Sequence, residues 1–296
     1  MNTPLPQSNG LRIRFWGVRG SCPAPGPETV RHGGNTSCVT VELPNDVVLV
    51  LDAGTGMRKL GHELVASGRT DNIHLLLSHT HWDHILGLPF FVPLYLPQGR
   101  ILLHPLPNKA QERFRRQPAL FDPIHFPVPA ADVPARIERV EHDSEPWCIG
   151  GATVQPIPLN HPGGAQGFRI EHRGRSLCYL TDNELNPPGP VTTTVEQLAA
   201  FARHCDVLIH DTQYVHADRA HKVGWGHSFL QDVLELAKQA RPKHLVLYHH
   251  DPDRSDDALD DVQRQAQAWL DEHAPGIVVS VASEGLTLDL PRTDEG

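Results

Sequence analysis

The sequence predicts an α/β fold in which a sandwich of two β-sheets is covered by helices. Runs of strand length occur in both halves of the 296-residue chain, with helical patterns between them. The two halves are joined by a proline-rich segment at about 87–151, where long helices and central strands are disfavoured. Because no flexible linker is evident, we expect a single domain over residues 1–296 with an insert-like segment at 87–151.

The first half of the chain begins with strand-like runs. Leu11–Trp16 alternates apolar and basic residues, as a half-buried strand does. Cys38–Leu43 and Val47–Leu51 are predicted to form a hairpin joined by a Pro-Asn-Asp turn. Ile73–Leu77 is an apolar run and predicts a buried strand. Between the last two runs the pattern predicts a short helix whose apolar face comprises Met57, Leu60 and Leu64.

Regular patterning returns after Gly151. Strands are predicted at 152–157, 167–172, 176–181, 206–210, 244–249, 277–281 and 285–290. Helices are predicted at Thr194–Arg203, Ser228–Gln239 and Asp256–Glu272. Ser228 and Gln231 have the spacing of a capping box, which predicts that the second of these helices begins at Ser228.

Three irregular features leave alternatives open. The Gly/Pro-rich loop Gly17–Gly34 is either a surface connection or a mobile loop at the mouth of a site. A short helix at Lys109–Arg116 would carry three arginines, on a solvated face or placed to collect an anionic substrate. These are Arg113, Arg115 and Arg116. An apolar wall or a dimer contact is predicted from Phe90, Phe91, Phe121 and Phe126.

The composition excludes several classes of protein. A net charge of −9 and a pI of about 6.1 give no electrostatic footprint for nucleic acid. The five cysteines are scattered without CxxC spacing, which favours a reducing compartment over a disulfide framework. No signal peptide and no apolar run of about 20 residues is evident. We therefore expect a cytoplasmic protein that does not bind membranes.

The run His79-Thr80-His81-Trp82-Asp83-His84 places four metal-competent side chains within six residues. It follows the predicted strand Ile73–Leu77. Strand alternation puts His79 and His81 on one side, while Asp83 and His84 face the next turn. This spacing after an apolar strand favours a site for two adjacent divalent ions over isolated polar histidines.

Further ligands must come from elsewhere in the chain, and three candidates stand at predicted strand ends. His161 precedes a Pro-Gly-Gly turn, and Asp182 ends a strand. A third strand ends in the pair His249-His250. Of this pair, His249 is the preferred ligand because it directly follows the strand, whereas His250 could lie behind the ligands.

The six-residue run resembles the signature of the metallo-β-lactamase fold superfamily. Other segments are similar to ribonuclease Z and its smaller relatives: Asn35-Thr36-Ser37, Asp206–Asp211 and Gly226-His227-Ser228. The resemblance implies an αββα sandwich of two mixed β-sheets flanked by helices. It also implies two metal ions, one bound by His79, His81 and His161 and the other by Asp83, His84 and His249. Asp182 would bridge the two, and Asp52 would orient a ligand histidine from behind.

The resemblance also implies that His227 acts in catalysis, and Asp83 and Asp211 are predicted as further catalytic residues. His227 precedes a predicted helix whose free N–H groups favour a phosphate. The dipole of that helix disfavours an imidazolium, so the substrate anion or a carboxylate such as Asp211 would have to offset it. The alternative is that His227 simply starts a helix. Zinc suits an imidazole-rich site best, although mixed histidine and carboxylate sets also take manganese or iron.

These features predict a metal-dependent phosphodiesterase that acts on a small cyclic or short phosphodiester. A water shared by the two ions would lose its proton and attack, and His227 would protonate the leaving alkoxide. The chain resembles hydrolases such as phosphoribosyl 1,2-cyclic phosphate phosphodiesterase. Ribonuclease Z itself is disfavoured because only 21 positions separate His161 from Asp182, which leaves no room for its tRNA-binding arm.

Two alternatives use the same metals. One is a thioester or lactone hydrolase, which needs no His227, and the other is a metal-binding carrier without turnover. No stable nucleic-acid partner is expected. Dimers are the commonest homo-oligomers, so a homodimer is the alternative to a monomer.

Overall fold

Two seven-stranded sheets pack face to face in a computed structural model of the chain. The structure describes residues 10–108, 112, 114, 119–124 and 126–292. Most of the predicted helix Lys109–Arg116, with Arg113, Arg115 and Arg116, lies outside these residues.

The first sheet is mixed. Its strands are β1 (Leu11–Gly17), β2 (Cys38–Glu42), β3 (Val48–Leu51), β4 (Ile73–Leu76), β5 (Arg100–Leu103), β6 (Arg136–Arg139) and β14 (Thr287–Leu290). Their order is β14-β1-β2-β3-β4-β5-β6. The strands from β14 to β3 pair antiparallel, and those from β3 to β6 pair parallel.

The second sheet is also mixed. Its strands are β7 (Trp147–Ile149), β8 (Ala152–Leu159), β9 (Ala165–His172), β10 (Arg175–Leu180), β11 (Val207–Asp211), β12 (His244–Tyr248) and β13 (Val278–Val281). Their order is β13-β12-β11-β10-β9-β8-β7, with β7 to β10 antiparallel and β10 to β13 parallel.

Helices cover the outer faces of both sheets. The α-helices whose bounds lie within the described part of the chain are α1 (Met57–Ala66), α2 (Trp82–Ile85), α3 (Val195–Phe201), α4 (Arg219–Lys222), α5 (Leu230–Ala240) and α6 (Asp256–His273). The core between the sheets includes Phe15, Phe168 and Tyr248. A second apolar layer packs α3, α5 and α6 on the second sheet, and a third packs α1 on the first. Each fully buried large apolar side chain stabilises the fold by roughly 1.5–3 kcal/mol. This arrangement confirms the predicted αββα sandwich.

The proline-rich segment contributes more to the sheets than predicted. Although proline is dense between 87 and 151, the stretch Gly99–His104 contains none. It forms β5, which lies within the sheet between β4 and β6. β6 and β7 also come from this segment. Because β5 lies inside the sheet, the expectation that central strands are disfavoured in this segment is wrong.

Of the four phenylalanines predicted to form a wall, Phe91 and Phe121 are buried in the core beneath α1. Phe90 is 54% exposed and its ring contacts Phe126 at 5.7 Å between centroids. All five cysteines are free. None of the helices among the described residues is long and apolar enough to cross a membrane.

Candidate metal centre and active site

The histidine-rich segment follows β4 and turns directly into α2. β4 ends at Leu76, and His79 and His81 lie in the connection. Asp83 and His84 lie within the four-residue helix α2. The rings of His79 and His81 are 4.4 Å apart between centroids. One short segment therefore delivers four metal-competent side chains to the edge of the first sheet.

The other predicted site residues reach the same edge from the second sheet. His161, Asp182 and His249 follow the C-terminal ends of β8, β10 and β12. Asp182 and His249 have positive φ angles of 54° and 61°, a left-handed conformation that non-glycine residues adopt rarely. Such backbone outliers cluster at functional sites because the surrounding structure must hold them in place.

A first group of ligand atoms is formed by His79, His81 and His161. These atoms lie within 4.8 Å of one another. Nδ1 of His81 is 3.0 Å from Nε2 of His161. Nε2 of His79 is buried and has no hydrogen-bond partner among the described residues.

A second group is formed by Asp83, His84, His249 and Asp182. Oδ2 of Asp83 lies 3.2 Å from Nε2 of His84 and 3.2 Å from Nε2 of His249. The two Nε2 atoms are 3.3 Å apart. His250 points elsewhere, with Nε2 2.9 Å from the Ala282 carbonyl oxygen, so the structure brings His249 rather than His250 into the cluster.

Asp182 lies between the two groups and presents one oxygen to each. Its Oδ2 is 3.7 Å from Nε2 of both His79 and His161. Its Oδ1 is 3.1 Å from Nε2 of His84 and 3.2 Å from Nε2 of His249. A carboxylate placed in this way can bind two cations at once.

Hydrogen bonds behind the cluster fix the orientation of His84. Oδ2 of Asp52 accepts hydrogen bonds from Nδ1 of His84 at 2.9 Å and from the Tyr179 hydroxyl at 2.8 Å. Ser78 donates to the same carboxylate from its backbone N–H at 2.7 Å and from its hydroxyl at 2.9 Å. With Nδ1 as the donor, a neutral His84 keeps its Nε2 lone pair for the cluster.

Two further histidines are oriented in the same way. Nδ1 of His161 donates to the Gly226 carbonyl oxygen at 2.8 Å, and Nδ1 of His249 donates to Oε1 of Gln213 at 3.0 Å. Ser78, Tyr179 and Gln213 were not singled out from the sequence. No spacing marks them, because their contacts join segments that are distant in the sequence. Ser78 and Gln213 contact residues at the ends of neighbouring strands in their own sheets, and Tyr179 reaches Asp52 across the two sheets.

The chemistry of the cluster fits divalent cations. Burial lowers the pKa of His161 to about 4, and burial together with His84 lowers the pKa of His79 well below its usual value. Both imidazoles are therefore neutral and can act as ligands. Burial alone would lower the pKa of His84, but Asp182, Asp83 and Asp52 raise it well above its usual value. These carboxylates therefore favour a positive charge at Nε2, which a bound cation would supply in place of the proton. The concentrated negative charge and the unpaired Nε2 of His79 suit a cation held at the centre.

His227 and Asp211 form a pair beside this cluster. Nδ1 of His227 donates to Oδ2 of Asp211 at 2.8 Å, and its ring stacks on that of His249 at 5.0 Å. A ring nitrogen of His227 lies within 4.8 Å of ligand atoms of His161 and Asp182. Burial lowers the pKa of His227, but the charge and hydrogen bond of Asp211, with Asp182 and Asp83, raise it to about 9.

The predicted helix start next to His227 is wrong. α5 begins at Leu230, and Phe229 at its N-terminal end makes no side-chain cap. The Ser228 hydroxyl instead donates to the Asn183 carbonyl oxygen at 2.5 Å. The hydroxyl oxygen accepts from the Leu185 N–H at 3.3 Å, so the side chain is directed away from the helix and the capping box with Gln231 does not form.

The Gly/Pro-rich loop Gly17–Gly34 reaches the site. The Ser21 N–H donates to Oδ2 of Asp83 at 2.8 Å. A Cβ atom at Gly20 would lie 2.4 Å from Nδ1 of His249, so only glycine allows the loop to pack this closely. Arg19 is fully buried and donates to the carbonyl oxygens of Gly33, Asp251 and Arg254.

Residues 48–250 match the sequence profile of the beta-lactamase superfamily domain. The chain belongs to this superfamily. The chain has the metallo-β-lactamase fold of a hydrolase, and this fold implies divalent metal ions. This confirms the family resemblance and the presence of a metal-dependent hydrolase fold.

Relatives within the beta-lactamase superfamily support the same assignment. Ribonuclease Z of Staphylococcus haemolyticus is 24% identical over 279 residues, which cover 81% of this chain and 88% of that protein. An uncharacterized protein of Mycobacterium tuberculosis is 30% identical over 280 residues, or 90% of each chain. The crystal structure of a diphosphatase from the PhnP family superimposes with a TM-score of 0.64 at 21% identity, covering 95% of this chain and 98% of that one.

Proposed function

We propose that this protein is a phosphodiesterase that uses two divalent cations to hydrolyse a small cyclic or short phosphodiester. One observation carries the proposal: Asp182 directs its two oxygens at two separate groups of ligands, and the His227–Asp211 pair lies beside them. A related ribonuclease Z and a structurally similar diphosphatase, both named for phosphate chemistry, favour a phosphorus ester over a carboxylic ester.

Seven residues would hold the two cations. The first would take His79, His81 and His161, and the second Asp83, His84 and His249, with Asp182 shared. Five imidazoles and two carboxylates suit zinc best, and manganese or iron would also accept this set. Bound at this site, such ions lower the pKa of a water molecule and draw charge from the phosphoryl oxygens.

His227 would supply the proton for the leaving oxygen. Its Nδ1 is engaged by Asp211, so the proton to be transferred is the one on Nε2. Asp211 keeps the imidazolium form populated and sets its orientation, because its Oδ2 is also held by the Asn183 N–H at 3.1 Å. Transfer of this proton neutralises the negative charge that develops on the leaving oxygen.

The geometry around the site supports a small substrate. Between His161 and Asp182 the chain forms only the hairpin of β9 and β10, with a turn at Arg173 and Gly174. A net charge of −9 opposes the phosphate contacts that dominate RNA affinity. A cyclic phosphodiester or a short diester needs neither an arm nor a basic surface.

The proposal is tested by metal analysis and an activity screen on one preparation. We expect about two metal equivalents per chain. We also expect hydrolysis of bis(p-nitrophenyl) phosphate and of a cyclic phosphodiester, lost on chelation and restored by zinc, manganese or iron(II). Activity confined to a lactone or thioester, and unaffected by His227→Ala, would replace the proposal with a carboxylic ester hydrolase. Metal-loaded protein inactive on every substrate would favour a carrier.

A further inference from the structure

We propose that Glu184 is a positioning residue that holds His227 in place through the turn Gly224–Gly226. The inference rests on the general-acid role of His227 in the proposed function. Glu184 is 3% exposed, and it lies two residues beyond Asp182 in the loop that follows β10. It touches neither group of ligand atoms, so its contribution must pass through the residues it binds.

The Glu184 carboxylate binds two backbone N–H groups of the turn. Oε1 accepts from Gly224 at 2.7 Å, and Oε2 accepts from Gly226 at 2.9 Å. Hydrogen bonds to a buried carboxylate are roughly twice as strong as those between neutral groups. One side chain therefore fixes both ends of a three-residue turn, and His227 is the next residue along the chain.

The turn is also wedged against His161. The Gly226 carbonyl oxygen accepts from Nδ1 of His161 at 2.8 Å. A Cβ atom at Gly226 would lie 2.4 Å from Pro162 and 2.6 Å from Nδ1 of His161, and its φ of 88° also favours glycine. Glu184 thus holds a segment that touches a ligand of the first group on one side and carries His227 on the other.

The loop after β10 ties this contact to the rest of the site. Asp182 lies between the two groups of ligands, and the Asn183 N–H donates to Asp211. The Ser228 hydroxyl donates to the Asn183 carbonyl oxygen on the far side of His227. Consecutive residues of one loop therefore set the distance between the bridging carboxylate, the partner of His227 and the turn that carries it.

The effect of Glu184 should depend on the leaving group of the substrate. Glu184→Gln replaces one acceptor oxygen by an NH₂ group that faces an N–H, so one bond is lost and the turn is pushed away. A displaced His227 transfers its proton poorly to the leaving oxygen. This slows the departure of phenolate, which is a basic leaving group, but has little effect on p-nitrophenolate, which leaves readily without a proton. We expect kcat to fall at least about 30-fold on diphenyl phosphate and less than about threefold on bis(p-nitrophenyl) phosphate.

The comparison uses metal-loaded, full-length protein and three reference variants. Glu272→Gln, an exposed glutamate on α6, should match the wild type on both substrates. His227→Asn should show the same leaving-group dependence as Glu184→Gln, but more strongly. Glu184→Asp keeps the charge with a shorter reach, and should fall between the wild type and Glu184→Gln. If Glu184→Gln does not fold, the comparison of Glu184→Asp with the wild type decides the result.

Several outcomes would overturn the role of Glu184. Equal losses on both substrates, or no loss on either, would reduce it to a structural contact while leaving the phosphodiesterase proposal intact. If His227→Asn also shows no dependence on the leaving group, the general-acid role of His227 is refuted instead. A crystal structure provides a readout independent of activity: residues 224–227 of Glu184→Gln lying within about 0.5 Å of their wild-type positions would exclude positioning.

Discussion

Nδ1 of His227 lies 2.8 Å from Oδ2 of Asp211, and the histidine ring stacks on that of His249. Both residues of the pair come from the second sheet or the segment beside it, whereas the histidine-rich run comes from the first. The pair fixes which imidazole nitrogen faces the cluster, and the carboxylate favours the charged form of the ring. The protonation state of His227 therefore depends on Asp211.

Asp211→Asn should move the pH dependence of catalysis. A general acid works only while protonated, so activity is retained below the His227 pKa of about 9 and lost as pH rises through it. Removing the Asp211 charge lowers this pKa, so the loss should begin at least about one pH unit lower. The measurement is the alkaline limb of kcat/KM on diphenyl phosphate. Asp257→Asn, at an exposed position, is the control, and an unmoved limb in Asp211→Asn would exclude this coupling.

Asp52→Asn should weaken metal binding even though Asp52 is not one of the candidate metal ligands. Oδ2 of Asp52 accepts hydrogen bonds from His84, Tyr179 and Ser78 and thereby orients the Nε2 lone pair of His84. Loss of such a partner costs about 10–100-fold in metal affinity. Competition with a chromophoric chelator measures this, and Tyr179→Phe should have a smaller effect. Unchanged affinity in Asp52→Asn would show that His84 is held by packing alone.

Asp182→Asn should reduce the number of metal ions that the protein binds. Asparagine tolerates the φ of 54° at this position, so the backbone can stay in place. A neutral amide cannot share two cations as a carboxylate does, so metal content should fall from about two equivalents to about one or fewer. Elemental analysis after gel filtration measures the ratio, with Asp257→Asn again as the control. Two full equivalents in Asp182→Asn would rule out a bridging role.

The sequence predicted the parts of the site that are local. Four candidate ligands stand within six residues after an apolar strand, and both the periodicity and the spacing are visible in the chain. His161, Asp182 and His249 could be proposed because each stands at a predicted strand end before turn residues, and together with the six-residue run they match the superfamily pattern. Tyr179 could not, because it reaches Asp52 across the two sheets from 127 positions away.

Two errors have local physical causes. The density of proline between 87 and 151 concealed Gly99–His104, a proline-free stretch long enough for β5. Ser228 has the sequence of a helix cap, but its hydroxyl donates to the Asn183 carbonyl oxygen and accepts from the Leu185 N–H instead. In the first case the average composition of a region hid one short segment. In the second case a rule based on two sequence positions was overridden by specific tertiary contacts.

Gly20→Ala should disrupt the second group of ligands by a steric route. The added Cβ would lie 2.4 Å from Nδ1 of His249 and 2.8 Å from Oε1 of Gln213, so it breaks the hydrogen bond that orients His249. We expect metal affinity to fall by about tenfold or more. Gly26→Ala is the matched control, because it lies in the same loop with no atom within 4 Å of the new Cβ. If Gly20→Ala binds metal as tightly as Gly26→Ala does, the loop must yield readily, and the close approach of Gly20 to His249 would have no role in holding the ligand.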